Sequence, residues 1–173
     1  MTTNPSRNTS RRNFLRNAPV AAAAGLALIE TSAPAQTPAP AKFQLFTASE
    51  LAGDQKAVQA KPGNNNLVTL KETLVVMTTE AAHAAKEFEW HEQRDHIVQI
   101  LDGSTLYELG GTPKGTHDNA GKPGEFLAPD SDAPTKLTLN KGDMLTIPRG
   151  TPHRRTTTGT VTFILISSQG MAM

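Results

Sequence analysis

Glu89-Trp90-His91-Glu92-Gln93-Arg94-Asp95-His96 is the stretch that decides how this chain folds. Successive side chains of a strand point to opposite faces, so residues two apart share a face. Glu89 and His91 therefore project together, with Phe88 and Trp90 on the other side. The polar run 92–95 reads as a tight turn that reverses the chain and returns His96 beside His91 on the neighbouring strand. Val98 and Ile100 share the face of His96 and offer an apolar wall to the same cavity. Far along the chain, Pro148-Arg149-Gly150-Thr151-Pro152-His153 repeats the device. A short apolar strand (Met144, Leu145, Ile147) ends in a rigid turn, and His153 opens the next strand. If that strand crosses beside the first pair, one carboxylate, Glu89, and three imidazoles, His91, His96 and His153, converge. The chain has no cysteine, so a metal site must use nitrogen and oxygen. That donor set suits divalent manganese, iron, nickel, copper or zinc.

Around these segments the chain is strand-like in short pieces: 67–79, 88–91, 96–101, 105–109, 136–139, 144–147 and 160–167. The first of them is one long strand or a hairpin. Asp102-Gly103 has the composition of a two-residue hairpin, since both positions tolerate positive φ, and Lys141-Gly142-Asp143 is another turn. Pro62-Gly63-Asn64-Asn65-Asn66 reads as a turn cluster. Residues 43–57 suggest a strand piece followed by a short helix, capped by Thr47 or Ser49 and ending near Gly53. No long stretch carries the periodicity of an amphipathic helix. The expectation is an all-β sandwich or barrel with one short N-terminal helix. Residues 110–134, rich in Gly and Pro, stand out as a long loop. A loop of that size is either a rim or lid over a pocket or a tolerated insertion. Phe126 and Leu127 inside it imply that part of it packs back onto the barrel or onto a neighbouring subunit.

The first thirty-five residues of the 173 read as something other than fold. Ser10-Arg11-Arg12-Asn13-Phe14-Leu15 precedes a short alanine-rich apolar run and then Ala33-Pro34-Ala35. Basic region, short apolar region and A-x-A form the layout of an export signal, and the paired arginines resemble a twin-arginine signal. The apolar run is well short of the roughly twenty residues a bilayer span needs, so stable membrane insertion is not expected. Residues 36–66 then form an N-terminal extension with the short helix, and 67–170 the barrel domain. Four arginines (Arg7, Arg11, Arg12, Arg16) and one acid (Glu30) lie in the leader. The remainder therefore has 13 basic and 15 acidic side chains out of 17 and 16. No basic surplus is left to attract nucleic acid. Without cysteine an exported domain has no disulfide to staple it, which leaves core, metal and oligomerisation to hold it.

Two segments resemble the paired signatures of the cupins. Gly142-x5-Pro148-x-Gly150-x2-His153 is similar to the second signature at each Gly, Pro and His, with Thr157 where the motif usually ends in Asn. The first signature runs His-x-His, three or four residues, Glu, six residues, Gly. Here the frame reads Glu89-x-His91-x4-His96-x6-Gly103, so Glu and His have exchanged places. The resemblance spans about residues 67–167 and implies a cupin-type jelly-roll barrel, usually dimeric. It implies a mononuclear divalent metal held by Glu89, His91, His96 and His153. Because of the exchange, Glu87 on the same face, or water, is the alternative to Glu89.

A ligating histidine usually donates its second nitrogen to a carboxylate or carbonyl; Asp95 and Glu92 are the nearby candidates. Arg155 shares the face of His153 and is a candidate for meeting an anionic substrate, with Arg154 outward. Tyr107 is the candidate proton donor if it faces the cavity. His83 and His117 lie outside the signatures and are expected to be solvated. Two functional classes remain. One is a metal-dependent oxidoreductase of the dioxygenase kind acting on a small organic substrate, with manganese or iron(II) favoured. The other is a non-catalytic periplasmic barrel that binds a small ligand or metal. Both are expected as an exported homodimer.

Overall fold

The computed structural model describes residues 43–170, so the expected export signal lies outside the described residues. Helix α1 (Ala48–Ala60) begins at a capping box. The Thr47 hydroxyl accepts from the Glu50 amide at 3.2 Å, and the Glu50 carboxylate accepts from the Thr47 amide at 2.8 Å. This satisfies two amides that the first turn leaves without partners. The helix continues past Gly53, where an end was expected, and buries only Val58.

Thirteen strands follow: β1 (Gly63–Thr69), β2 (Thr73–Glu80), β3 (His83–Ala84), β4 (Phe88–His91), β5 (Arg94–Leu109), β6 (Thr112–Lys114), β7 (His117–Asp118), β8 (Glu125–Ala128), β9 (Asp130–Asp132), β10 (Thr135–Asn140), β11 (Met144–Ile147), β12 (His153–Thr157) and β13 (Val161–Gln169). The pairing is antiparallel and makes two layers. The first runs β1-β2-β13-β5 with β11 on the far edge of β5. The second runs β10-β5-β12-β4-β8-β7, with β3 beside β12. This is an all-β jelly roll: strand spacing and turn signals led one to expect a sandwich or barrel, and the resemblance implied the jelly roll.

Strand β5 belongs to both layers, which corrects the hairpin expected at Asp102-Gly103. Partners claim both halves of the strand: β11 and β13 pair with residues 94–103, β10 and β12 with 104–109. The local turn signal therefore becomes a corner. Register slips beside Leu101, since Thr162 opposes Asp102 while Phe163 opposes Ile100. Gly103 takes φ +76°, and a Cβ there would lie 2.1 Å from the Thr160 carbonyl oxygen. The expected turn at Lys141-Gly142-Asp143 does form. It is pinned to the corner by Ile100, whose amide donates to Asp143 (2.9 Å) and whose carbonyl accepts from Gly142 (2.8 Å).

The asparagine cluster at 64–66 is strand, not turn; its edge position on β1 leaves one side of the backbone for water. Residues 110–134 are also more ordered than a loop. They contain the β6–β9 ribbon and add β8 and β7 to the edge of the second layer. Phe126 stacks on Trp90 with ring centroids 5.6 Å apart, so this segment packs back onto the barrel as its apolar residues implied.

The core between the layers is Val98, Ile100, Tyr107, Leu139, Ile147, Val161 and Phe163. Two buried threonine pairs cross-link the strands, Thr79 with Thr162 and Thr105 with Thr157, each at 2.8 Å. Thr157, the residue that departs from the signature, thus ties β12 to β5. Among the described residues no helix is long and apolar enough to cross a membrane.

Candidate metal centre

The three histidines come from both layers. His91 ends β4 and His153 opens β12 in the second layer, while His96 lies in the half of β5 that pairs with β11 and β13. Their rings meet at centroid distances of 4.9, 5.5 and 5.7 Å. One ring nitrogen from each lies within 4.8 Å of the others, and all three residues are buried.

The turn between β11 and β12 holds this geometry. The Asp95 carboxylate accepts from the Arg149 amide (2.7 Å), its Nε (3.2 Å) and its Nη2 (2.6 Å). These bonds hold the Asp95 carboxyl below its usual range. The Gly150 amide donates to the His91 carbonyl at 2.8 Å. Pro148-Arg149-Gly150 is therefore fastened to β4 and β5 at once, and the loop that delivers His153 is located by the residues flanking His91 and His96. Asp95 was a candidate partner for a histidine ring; it locks the turn instead, and the Thr151 carbonyl takes the other part. His153 Nδ1 pairs with that carbonyl at 2.9 Å, which leaves Nε2 as its free nitrogen.

Burial disfavours charge on all three rings. It pushes His96 down to about 3, with the facing His153 and His91 adding to the effect. It also lowers His91 and His153. Neutral imidazole is the form that binds metal. Nδ1 of His91 and Nδ1 of His96 are buried without a hydrogen-bond partner. An orphaned buried polar atom costs about 1–3 kcal/mol. Three neutral imidazoles with spare nitrogens fit a divalent metal ion well.

Glu89 stands apart from that trio. Its side chain is half exposed, with Oε1 3.6 Å from His153 Nε2. Glu87 is drawn away to His117 at 2.9 Å. His83 and His117 are exposed, as expected. The centre opens onto a cavity of about 340 Å³ bordered by Glu89, His96, His153, Tyr107 and Arg155. Val98, Leu127, Ile147 and Leu165 form its apolar walls, so the 110–134 segment contributes to the rim through Leu127.

Arg155 does face this cavity, but its charge is already matched. One Nη donates to the Tyr107 hydroxyl at 3.0 Å and the other pairs with Glu80. The guanidinium also lies 4.4 Å from the Phe163 ring centroid. Tyr107 is buried, which pushes its hydroxyl pKa up and keeps it neutral. Arg154 pairs with Glu108 at 2.7 Å and covers the Phe88 ring. Two carboxylates that matter here, Glu80 and Glu125, carried no local signal. Each acquires its partner through strand pairing between distant segments.

No family model matches the chain, and no curated protein does. Solved structures do resemble it. A protein of Bacillus halodurans superposes with a TM-score of 0.51 at 16% identity, over 76% of this chain and 84% of that one. A cupin protein of Bacteroides fragilis gives 0.44 at 16% identity, over 65% and 81%. KdgF from a Halomonas species gives 0.43 at 16%, over 62% and 80%. At this identity the likeness is one of fold. The chain has a jelly-roll fold like that of these structures, with a three-histidine cluster able to hold a divalent metal.

Proposed function

We propose that this chain is an exported, metal-dependent oxidoreductase of the dioxygenase kind, acting on a small organic substrate inside the barrel. The observation that carries the reading is the convergence of His91, His96 and His153, in neutral form, at one end of an apolar-walled cavity. A cavity of a few hundred Å³ in which apolar walls meet convergent polar side chains is a usual form of a small-molecule site. A divalent metal, when bound, supplies a Lewis acid that orients and polarises substrate oxygens or activates dioxygen or water. The protein's own part is to hold three ligands rigidly and leave room for substrate. Val98, Ile147 and Leu165 exclude water from the body of the substrate. Glu89, half exposed beside His153, serves as the fourth ligand or as the group that accepts a substrate proton.

Manganese or iron(II) is favoured over zinc, nickel or copper because of the route we assign. A twin-arginine signal exports folded protein, so a weaker-binding metal can be enclosed in the cytosol before stronger competitors are met. Replacing Arg11 and Arg12 with lysine should leave unprocessed protein in the cytosol; continued export of processed protein would remove this assignment. The outer edge of β1, unpaired among the described residues, supports a homodimer, which sedimentation of the mature chain tests.

The deciding experiment is elemental analysis of mature protein isolated from its own compartment, alongside the His96→Ala variant. About one manganese or iron per chain, absent from the variant, with oxygen uptake on small phenols or acids, is the expected result. Metal without turnover on any such substrate would favour a non-catalytic binding barrel. A folded native protein without metal would overturn the reading.

A further inference from the structure

The 110–134 segment does more than shape the rim, because it brings Glu125 behind His91. Strand β8 pairs with β4 so that Glu125 lies directly opposite His91. Glu125 is buried, and its Oε1 lies 3.8 Å from His91 Nδ1, a buried nitrogen with no hydrogen-bond partner. The same carboxylate is held from several directions. Arg94 reaches Oε1 at 3.0 Å, and on Oε2 Lys122 stands at 3.4 Å and Asn119 Nδ2 at 3.3 Å. The segment is itself closed by backbone bonds, Asn119 N to Glu125 O (2.8 Å) and Glu125 N to Lys122 O (3.1 Å). It is then tied to the turn after β4 by Glu92 N to Gly124 O (2.9 Å). A buried carboxylate fixed by two cations and aimed at an orphaned ring nitrogen is an acceptor waiting for a donor.

We infer that Glu125 is the positioning residue for His91: when the ring binds metal through Nε2, the 3.8 Å gap closes and Nδ1–H donates to the Glu125 carboxylate. The inference rests on the metal-centre reading above. It adds the device that selects the tautomer of one ligand. A ring whose proton can sit on either nitrogen offers its lone pair to the metal only part of the time. A carboxylate on one side settles the proton there, raises the basicity of the other nitrogen and fixes the ring plane. His153 has the same service from the Thr151 carbonyl. Two of the three ligands would then be oriented by strong acceptors on the side away from the metal.

Zinc(II), added to metal-stripped protein in competition with a chromophoric chelator, reads this directly. Glu125→Gln keeps the size of the side chain and an oxygen for Arg94, but weakens the acceptor facing His91. Its zinc affinity should fall about 10–100-fold, the usual loss on removing an outer partner of a ligating histidine. In parallel, nitrogen NMR of the zinc-loaded wild type should place the His91 proton on Nδ1, a reading that needs no variant to fold. A residue serving only the stability of the β7–β8 edge would lower the melting temperature of the metal-free variant and leave zinc affinity unmoved. Undiminished zinc affinity in Glu125→Gln, or a His91 proton on Nε2 in the loaded wild type, overturns the inference alone. Failure of the wild type to bind zinc at all overturns it together with the metal reading.

Discussion

Two polar clusters border the same cavity, and they are built on opposite principles. His91, His96 and His153 are neutral, buried and short of partners: two of their ring nitrogens are orphaned and a third faces only a carboxylate oxygen 3.6 Å away. Across the cavity Glu80, Arg155 and Tyr107 form a charged group that satisfies most of its own needs, with Phe163 stacked on the guanidinium. The first cluster is uncharged and still has nitrogens facing the cavity; the second matches its charges internally, although Glu80 Oε2 and Arg155 Nε are also buried without partners. Proximity to a pocket is therefore a poor guide to role. Arg155 has the position of a substrate-binding arginine, yet Glu80 cancels its charge. No group within hydrogen-bond reach matches His153 Nε2, and a metal brought in from outside would do so.

The largest expected effect breaks the first cluster. His153→Ala should take metal content from about one per chain to none, and chelation of the wild type should lower its melting temperature because metal binds only the folded form. Elemental analysis and calorimetry check both, and full metal occupancy in the variant would dissolve the contrast between the clusters. Next, Glu80→Ala leaves the half-buried Arg155 charge without its carboxylate and should cost about 2–3 kcal/mol by urea unfolding. Metal content should stay unchanged, since Glu80 is not among the converging ligands. If metal were lost too, the two clusters would be one unit.

A titration sharpens the difference further. An unfolded histidine takes up its proton near pH 6.5, whereas burial holds folded His96 down to about 3. Within that window the unfolded chain binds more protons, so metal-free stability should fall as pH drops from 6.5 towards 3 and be unaffected by His96 above it. His96→Gln should flatten that slope in unfolding curves measured across the window. An unchanged slope would mean the cluster is wetter than its burial implies. The smallest effect tests the frame that holds the clusters apart. Gly103→Ala forces a side chain into positive φ against the Thr160 carbonyl and should cost about 1–3 kcal/mol, read as a lower melting temperature with metal stoichiometry intact.

Some of this was legible along the chain because it depends on neighbours in sequence. The two-residue period put Val98 and Ile100 on the core side of β5, and both are buried. Thr47 and Glu50 make a capping box by their spacing alone. The two histidine segments, with their Gly and Pro positions, pointed to the jelly roll and to the three residues that converge. Where a strong local signal met long-range pairing, pairing prevailed. Asp102-Gly103 became a corner because β13 runs across it, and the asparagines of β1 became an edge strand because β2 offers them partners. Residues 110–134 have weak strand propensity, and pairing orders them: β8 docks beside β4, β7 on β8, and β6 with β9.

By itself, then, the sequence determined the fold class, the strand-and-turn framework around the histidines, and an oxygen-and-nitrogen donor set free of thiolate. These follow from side-chain chemistry and from backbone periods that act over a few residues. The tertiary structure decided which carboxylates serve which partners. Glu87 goes to His117, Asp95 to Arg149, Glu80 to Arg155, and Glu125 to the edge of His91. Such pairings depend on the register between strands far apart in the chain, where a slip of one residue turns every side chain to the opposite face.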